Sequence, residues 1–170
     1  MTLIVSPLRH VPDLLAARKP SHVLTLLAPE ISPPSCPGFA ADRHLKLQFN
    51  DIIAPMTGLI APDPLIVQAI LEFGDAWDGA QPMLVHCSAG ISRSTAAAYI
   101  IACERMGAGS EDACAARLRS AAPSATPNSL MVAIADEVLE RGGRMVAAIA
   151  GIGRGADAFE GTPFDIRVDP

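Results

Sequence analysis

Pro82-Met83-Leu84-Val85-His86-Cys87-Ser88-Ala89-Gly90-Ile91-Ser92-Arg93-Ser94 is the stretch on which the fold turns. Its first residues are few, apolar toward both sides and bounded by turn signals, as a strand buried in the middle of a sheet would be. From Ala96 to Met106 the chain is rich in alanine and reads as helix. The residues between them must turn sharply at the C-terminal edge of a sheet, which is where α/β folds place their ligands.

Upstream of this stretch, Leu3-Ile4-Val5 reads as a short strand, and Ser6-Pro7 as a cap followed by the first residue of a helix through Leu14-Leu15-Ala16. His22 to Leu27 carries strand-like residues, and the prolines between Pro29 and Gly38 make that segment a loop. The alternation of His44-Leu45-Lys46-Leu47-Gln48-Phe49 is that of a half-buried strand. Asp63-Pro64 opens a helix that runs to about Trp77. Downstream of the turn everything reads as helix: Ala96 to Met106, a second helix from Ser110, and a long one from Thr126-Pro127 to about Ile149. These elements predict an α/β fold with a central, mostly parallel sheet of four to five strands flanked by helices, and a helical C-terminal half. Residues 1–170 are expected to form a single domain, with a tail from about residue 151 loosely structured or packed on the surface.

The composition suits a globule, half the residues being hydrophobic and 18% charged. A net charge of −5 and the lack of any run of Lys and Arg argue against nucleic acid or an anionic membrane as a partner. There is no secretory pattern at the N-terminus and no long uninterrupted apolar run, so a cytoplasmic location is the default expectation. Cys36, Cys87, Cys103 and Cys114 show no paired spacing that would indicate zinc or a disulfide framework, and no metal or other cofactor is expected.

The turn itself carries chemistry. Successive amides of Ser88, Ala89, Gly90, Ile91 and Ser92 can point inward as an anion-binding nest, and the following helix N-terminus adds positive potential. Gly90 relieves the backbone where its angles are unusual. Cys87 begins the nest, where the potential that binds an anion also favours a thiolate. Arg93 can fold back across the turn and offer a planar fork to two oxygens of a phosphate. Ser94 can hydrogen-bond the cysteine sulfur, and His86 can order the loop through its ring nitrogens. Gly151-Ile152-Gly153-Arg154-Gly155 is not a nucleotide fingerprint, because no strand precedes it.

His86-Cys87, five residues, then Arg93-Ser94 resembles the signature of the protein tyrosine phosphatase superfamily, and HCSAGISRS looks most like its dual-specificity and small bacterial branches. The likeness extends loosely from about Leu45 to Asn128, since family members carry an Asp-containing loop upstream and a Pro-Asn pair downstream, here Pro127-Asn128. The resemblance implies a phosphatase-like fold and hydrolysis of phosphate monoesters through a cysteinyl-phosphate intermediate, without metal. It also implies a general acid aspartate to protonate the leaving oxygen. Asp51, which opens a loop after the alternating strand, is the preferred candidate; Asp63 is the rival, although Pro64 behind it explains it as a helix cap. Asn128 is expected to help order the loop.

Two other classes compete with this reading. A phosphate-binding pseudophosphatase or scaffold would keep the nest without the nucleophile or acid, and a rhodanese-like sulfur transferase also sets its cysteine in a loop after a strand. The Arg93-Ser94 pair and the His before Cys87 favour the phosphatase. Phosphoinositide-selective relatives commonly place lysine in the signature loop, whereas residues 88–92 are uncharged here. The expected substrate is therefore a phosphotyrosine or phosphoserine/threonine protein, or a small phosphate ester.

Overall fold

The computed structural model of the chain describes residues 1–168. Five strands, β1 (Thr2–Pro7), β2 (His22–Leu27), β3 (His44–Gln48), β4 (Met83–Cys87) and β5 (Phe164–Arg167), form one sheet in the order β3-β2-β4-β1-β5. The first four run parallel, and β5 lies antiparallel along β1. The helices are α1 (Val11–Arg18), α2 (Pro64–Ala76), α3 (Arg93–Met106), α4 (Glu111–Ala121), α5 (Ser129–Val138) and α6 (Arg144–Ile152). Among the described residues no helix is long and apolar enough to cross a membrane.

Strand alternation divides the core into two layers. Leu3, Val5, Met83 and Val85 face the large cluster built with α2 to α6, while Ile4, Val23 and Leu84 pack against Val11 and the inner side of α1 on the other face. Burial on both faces explains why β4 has no polar alternation and why its C-terminal end can carry a site sealed from below.

Three sequence expectations need correction. Ser6-Pro7 does not cap a helix: β1 continues through Pro7, a 3-10 turn follows at Leu8–His10, and α1 starts one step later, with a proline in its first turn. The long helix from Thr126 to Ile149 is two helices. Glu140, Gly142 and Gly143 all take positive φ, and the Asp136 carboxylate turns to accept from the amides of Gly143 and Met145 at the start of α6. Finally, where the sequence predicts no strand downstream of β4 there is one, and the described part of the tail from residue 151, expected to be loosely structured or packed on the surface, is packed. It returns to the sheet as β5, with Ile166 buried, Arg18 forking onto Asp165, and the Val168 amide donating to the Met1 carbonyl.

Candidate active site

β4 ends at Cys87 and α3 begins at Arg93, so residues 88–92 make the turn at the sheet's C-terminal edge. The carbonyls of Ser88, Ala89 and Ile91 each have a donor from a distant part of the chain, and that of Ser92 has donors from α3. The Leu8 amide donates to the Ser88 carbonyl (3.1 Å), Gly161 to Ala89 (2.9 Å), Thr126 to Ile91 (2.9 Å), and Ala96 and Thr95 Oγ1 to Ser92 (2.9 and 2.8 Å). A trans peptide unit points its N–H opposite to its carbonyl, so pinning the carbonyls outward turns the amides of Ala89, Gly90, Ser92 and Arg93 into the turn. The Gly90 amide shows this directly, donating to Cys87 Sγ at 3.2 Å. The result is a concave row of donors around the sulfur.

Gly90 is obligatory. Its φ is +70°, and an added Cβ would lie 2.6 Å from the backbone nitrogen of Pro7 and 2.8 Å from that residue's Cδ. The clash is with backbone and a rigid ring, which cannot rotate away.

Cys87 is 2% exposed, with its sulfur 3.1 Å from Ser94 Oγ. Arg93, 5% exposed, lies across the opening: Nη1 donates to the Phe49 carbonyl at 2.8 Å, and Nη2 reaches Ser88 Oγ at 3.4 Å. Its Nε has no hydrogen-bond partner and sits 3.9 Å from Asp51 Oδ2, too far for a bond. A buried guanidinium with an unused donor at the mouth of an amide nest is suited to an incoming oxyanion.

Asp51 Oδ1 accepts from Ser92 Oγ (2.7 Å) and from Asn128 Nδ2 (2.8 Å). The carboxylate is thereby fixed at the rim of the turn, 36% exposed. Asn128 also donates to the Ile52 carbonyl and accepts from the Met131 amide, so one side chain caps α5 and ties the Asp51 loop to it. Asp63 has different work: its Oδ1 accepts from the Ile66 amide at 2.8 Å as the N-cap of α2, with Pro64 in the first turn. The structure therefore brings Cys87, Ser88, Gly90, Ser92, Arg93, Ser94, Asp51 and Asn128 together, and commits Asp63 to a helix end. Ala89 and Ile91 contribute backbone only.

His86 is fully buried beneath the turn. Its Nε2 meets Thr25 Oγ1 at 2.8 Å, and the same hydroxyl meets His44 Nε2 at 2.9 Å. Burial, only partly opposed by the neighbouring Cys87 backbone, pushes its pKa down to about 4, so the ring is neutral at ordinary pH. Nδ1 makes no hydrogen bond of good geometry. All four cysteines are free thiols.

Sequence reading missed the supports supplied by Leu8, Gly161 and Thr126, because a backbone amide has no residue signature. It missed Thr25 as the partner of His86 as well, although a threonine inside an apolar strand was a visible polar exception.

No protein-family model matches the sequence, and no curated protein matches it significantly. Solved structures do share its fold. Human DUSP28 superposes with a TM-score of 0.61 at 19% identity, over 81% of this chain and 91% of that one. DUSP15 gives 0.61 at 18% identity, over 88% and 89% of the two chains. PTPMT1, solved in complex with PI(5)P, gives 0.59 at 17% identity, over 85% and 92%. These are dual-specificity phosphatases, and the five-stranded sheet flanked by six helices is the phosphatase fold.

Proposed function

We propose that the chain is a phosphate-monoester hydrolase that works through a cysteinyl-phosphate intermediate on phosphotyrosine or phosphoserine/threonine proteins. The observation that carries this reading is the convergence, at one turn, of the Cys87 sulfur, a row of inward amides and the unsatisfied Nε of Arg93. In the first step the Cys87 thiolate attacks phosphorus, the P–O bond to the leaving group breaks, and the Asp51 carboxylic acid gives its proton to the departing oxygen. Arg93 and the amides hold the equatorial oxygens as charge builds on them. In the second step water attacks the phosphocysteine, Asp51 takes the proton, and the P–S bond breaks. Ser94 Oγ then donates to the returning thiolate. Asn128 and Ser92 act as positioning residues, keeping Asp51 at the rim.

The uncharged residues 88–92 offer no cation for the additional phosphates of an inositol head group, which supports a phosphoprotein substrate. We further take the chain as a single cytoplasmic domain. Substituting Cys87→Ser tests the mechanism. Turnover is expected to vanish while vanadate still binds, because the amides and Arg93 remain. Turnover comparable to the parent would refute the covalent route.

A further inference from the structure

Eight large hydrophobic side chains stand exposed among the described residues, and five of them, Ile53, Met56, Leu59, Ile60 and Leu65, fall within one short stretch after Asp51. Scattered singly, exposed apolar residues need no explanation, but such a concentration marks an interaction surface. The segment is also ordered rather than slack. Its neck is closed by the Asn50 amide on the Ile60 carbonyl and the Ile60 amide on Asn50 Oδ1, both at 2.8 Å. Its tip turns through Gly58, at φ +80°, with the Leu59 amide on the Met56 carbonyl. Residues 50–60 thus form an Ω-loop, a class of compact loop that is frequently functional. Within it Ile53 is 67% and Met56 58% exposed.

The loop is rooted in the site. Asp51 is its second residue and is bonded to Ser92, while Asn128 fixes Ile52. Phe159, the most exposed large hydrophobic, lies on another of the segments that meet the turn. Ala158 borders a hollow of about 240 Å³ together with Ile91 and Ser92, and the Gly161 amide holds Ala89. Exposed apolar side chains are therefore carried by two of the segments that border the turn. Between Asp51 and Leu65 the only charges are the carboxylates of Asp51 and Asp63, and on the Phe159 segment Arg154, which lines the same hollow, is paired with Asp157, while Glu160 is paired with Arg9. An acidic peptide or an anionic lipid surface would be repelled there.

We propose that the Ω-loop 50–60, with Phe159, is the docking surface for the segment flanking the phosphorylated residue of a protein substrate, and that this segment is apolar and free of acidic residues. The inference rests on the hydrolase reading above and names its substrate class. An ordered loop loses little conformational freedom on binding, so apolar contacts made there count toward affinity.

The test uses the full chain, the double variant Ile53→Ser/Met56→Ser, and Phe159→Ser. These side chains are exposed, and circular dichroism checks that the fold is kept. Turnover is measured on 4-nitrophenyl phosphate and on three phosphopeptides whose flanking residues are Leu and Ile, Ser and Gly, or Glu and Asp. The parent is expected to favour the Leu/Ile peptide over the Glu/Asp peptide by about tenfold or more in kcat/KM. In the double variant the ratio of Leu/Ile-peptide to 4-nitrophenyl phosphate turnover is expected to drop about tenfold, mainly through KM. Equal ratios in parent and variants overturn the proposal. If no ester is turned over, the hydrolase reading fails on its own. Binding of the fluorescently labelled Leu/Ile phosphopeptide then decides the surface: weaker binding by the variants upholds it, and unchanged binding overturns it. Sedimentation that shows the variants breaking a parent dimer, or loss of a parent affinity for phosphatidylcholine vesicles, assigns the patch to another occupant and also overturns it.

Discussion

Lowering the pH from about 8 to about 5 is expected to weaken the fold through His86. The folded protein holds this imidazole neutral down to about pH 4, whereas in the unfolded chain it takes up a proton near its ordinary value of 6.5. Between those two values the unfolded state binds more protons, so stability is full above pH 6.5 and is lost as the pH falls toward 4. A depression of this size corresponds to about 3 kcal/mol across the whole window, of which about 2 kcal/mol is lost by about pH 5. Against a total stability of about 5–15 kcal/mol for an ordinary domain, that is a measurable share. Burial also depresses His22 and His44, and these act in the same direction. The assay is therefore differential: urea unfolding of the parent and of His86→Gln, whose amide can still meet Thr25 Oγ1 but does not titrate. The parent is expected to lose about 2 kcal/mol more than the variant over this range. Parallel pH profiles for the two proteins would refute the assignment of a buried neutral imidazole beneath the turn.

Asp51→Asn keeps an oxygen for Ser92 and Asn128 but no proton to give, so hydrolysis of an ester with a poor leaving group is expected to slow about 10²–10⁴-fold, and that of 4-nitrophenyl phosphate much less. Asp63→Asn, which caps α2 equally well, is expected to show no leaving-group dependence; the opposite pattern would move the acid to Asp63. Arg93→Lys replaces a fork that bridges Phe49 and Ser88 with a single point charge, and kcat is expected to fall about 10²–10³-fold, so near-normal kinetics would place Arg93 outside the chemistry. Gly161→Pro removes the amide that supports the Ala89 carbonyl and is expected to lower kcat/KM about tenfold. Gly161→Ala keeps that amide and is expected to do less; equal kinetics for both would show the support to be dispensable.

Local chemistry was legible in the sequence, and long-range closure was not. The strand, turn and helix around Cys87 are contiguous, and their residue types are dictated by geometry, Gly90 by its positive φ and β4 by burial on both faces. The cap at Asp63 was legible for the same reason, since Asp followed by Pro is a signal contained in two residues. β5 was missed because it is four residues long and presents one buried apolar side chain, Ile166, to the core. Its place is decided by β1, at the far end of the chain. The break between α5 and α6 was written in Gly142-Gly143, but the apolar periodicity on either side read as continuous. Asn128 entered through the Pro-Asn resemblance, whereas its bonds to Asp51 and Ile52 span more than seventy residues and depend on the folded loop.

The amide of Gly161 on the Ala89 carbonyl, with β5 lying along β1, bears on the order in which the molecule matures on the ribosome. β1 is made first, yet both its neighbours come late, β4 near the middle of the chain and β5 near residue 165. A nascent chain that has exposed only residues up to about 150 can form α3 and its approach strand. One edge of β1 is then open, and the Ala89 carbonyl lacks its donor, so the Ala89–Gly90 peptide is free to turn its amide away from the sulfur. The donor of the Ala89 carbonyl therefore arrives last, when the segment that carries Gly161 leaves the exit tunnel and docks. A copy synthesised only that far lacks one support of the turn, and its unpaired β1 edge is a row of backbone groups open to pairing with another chain.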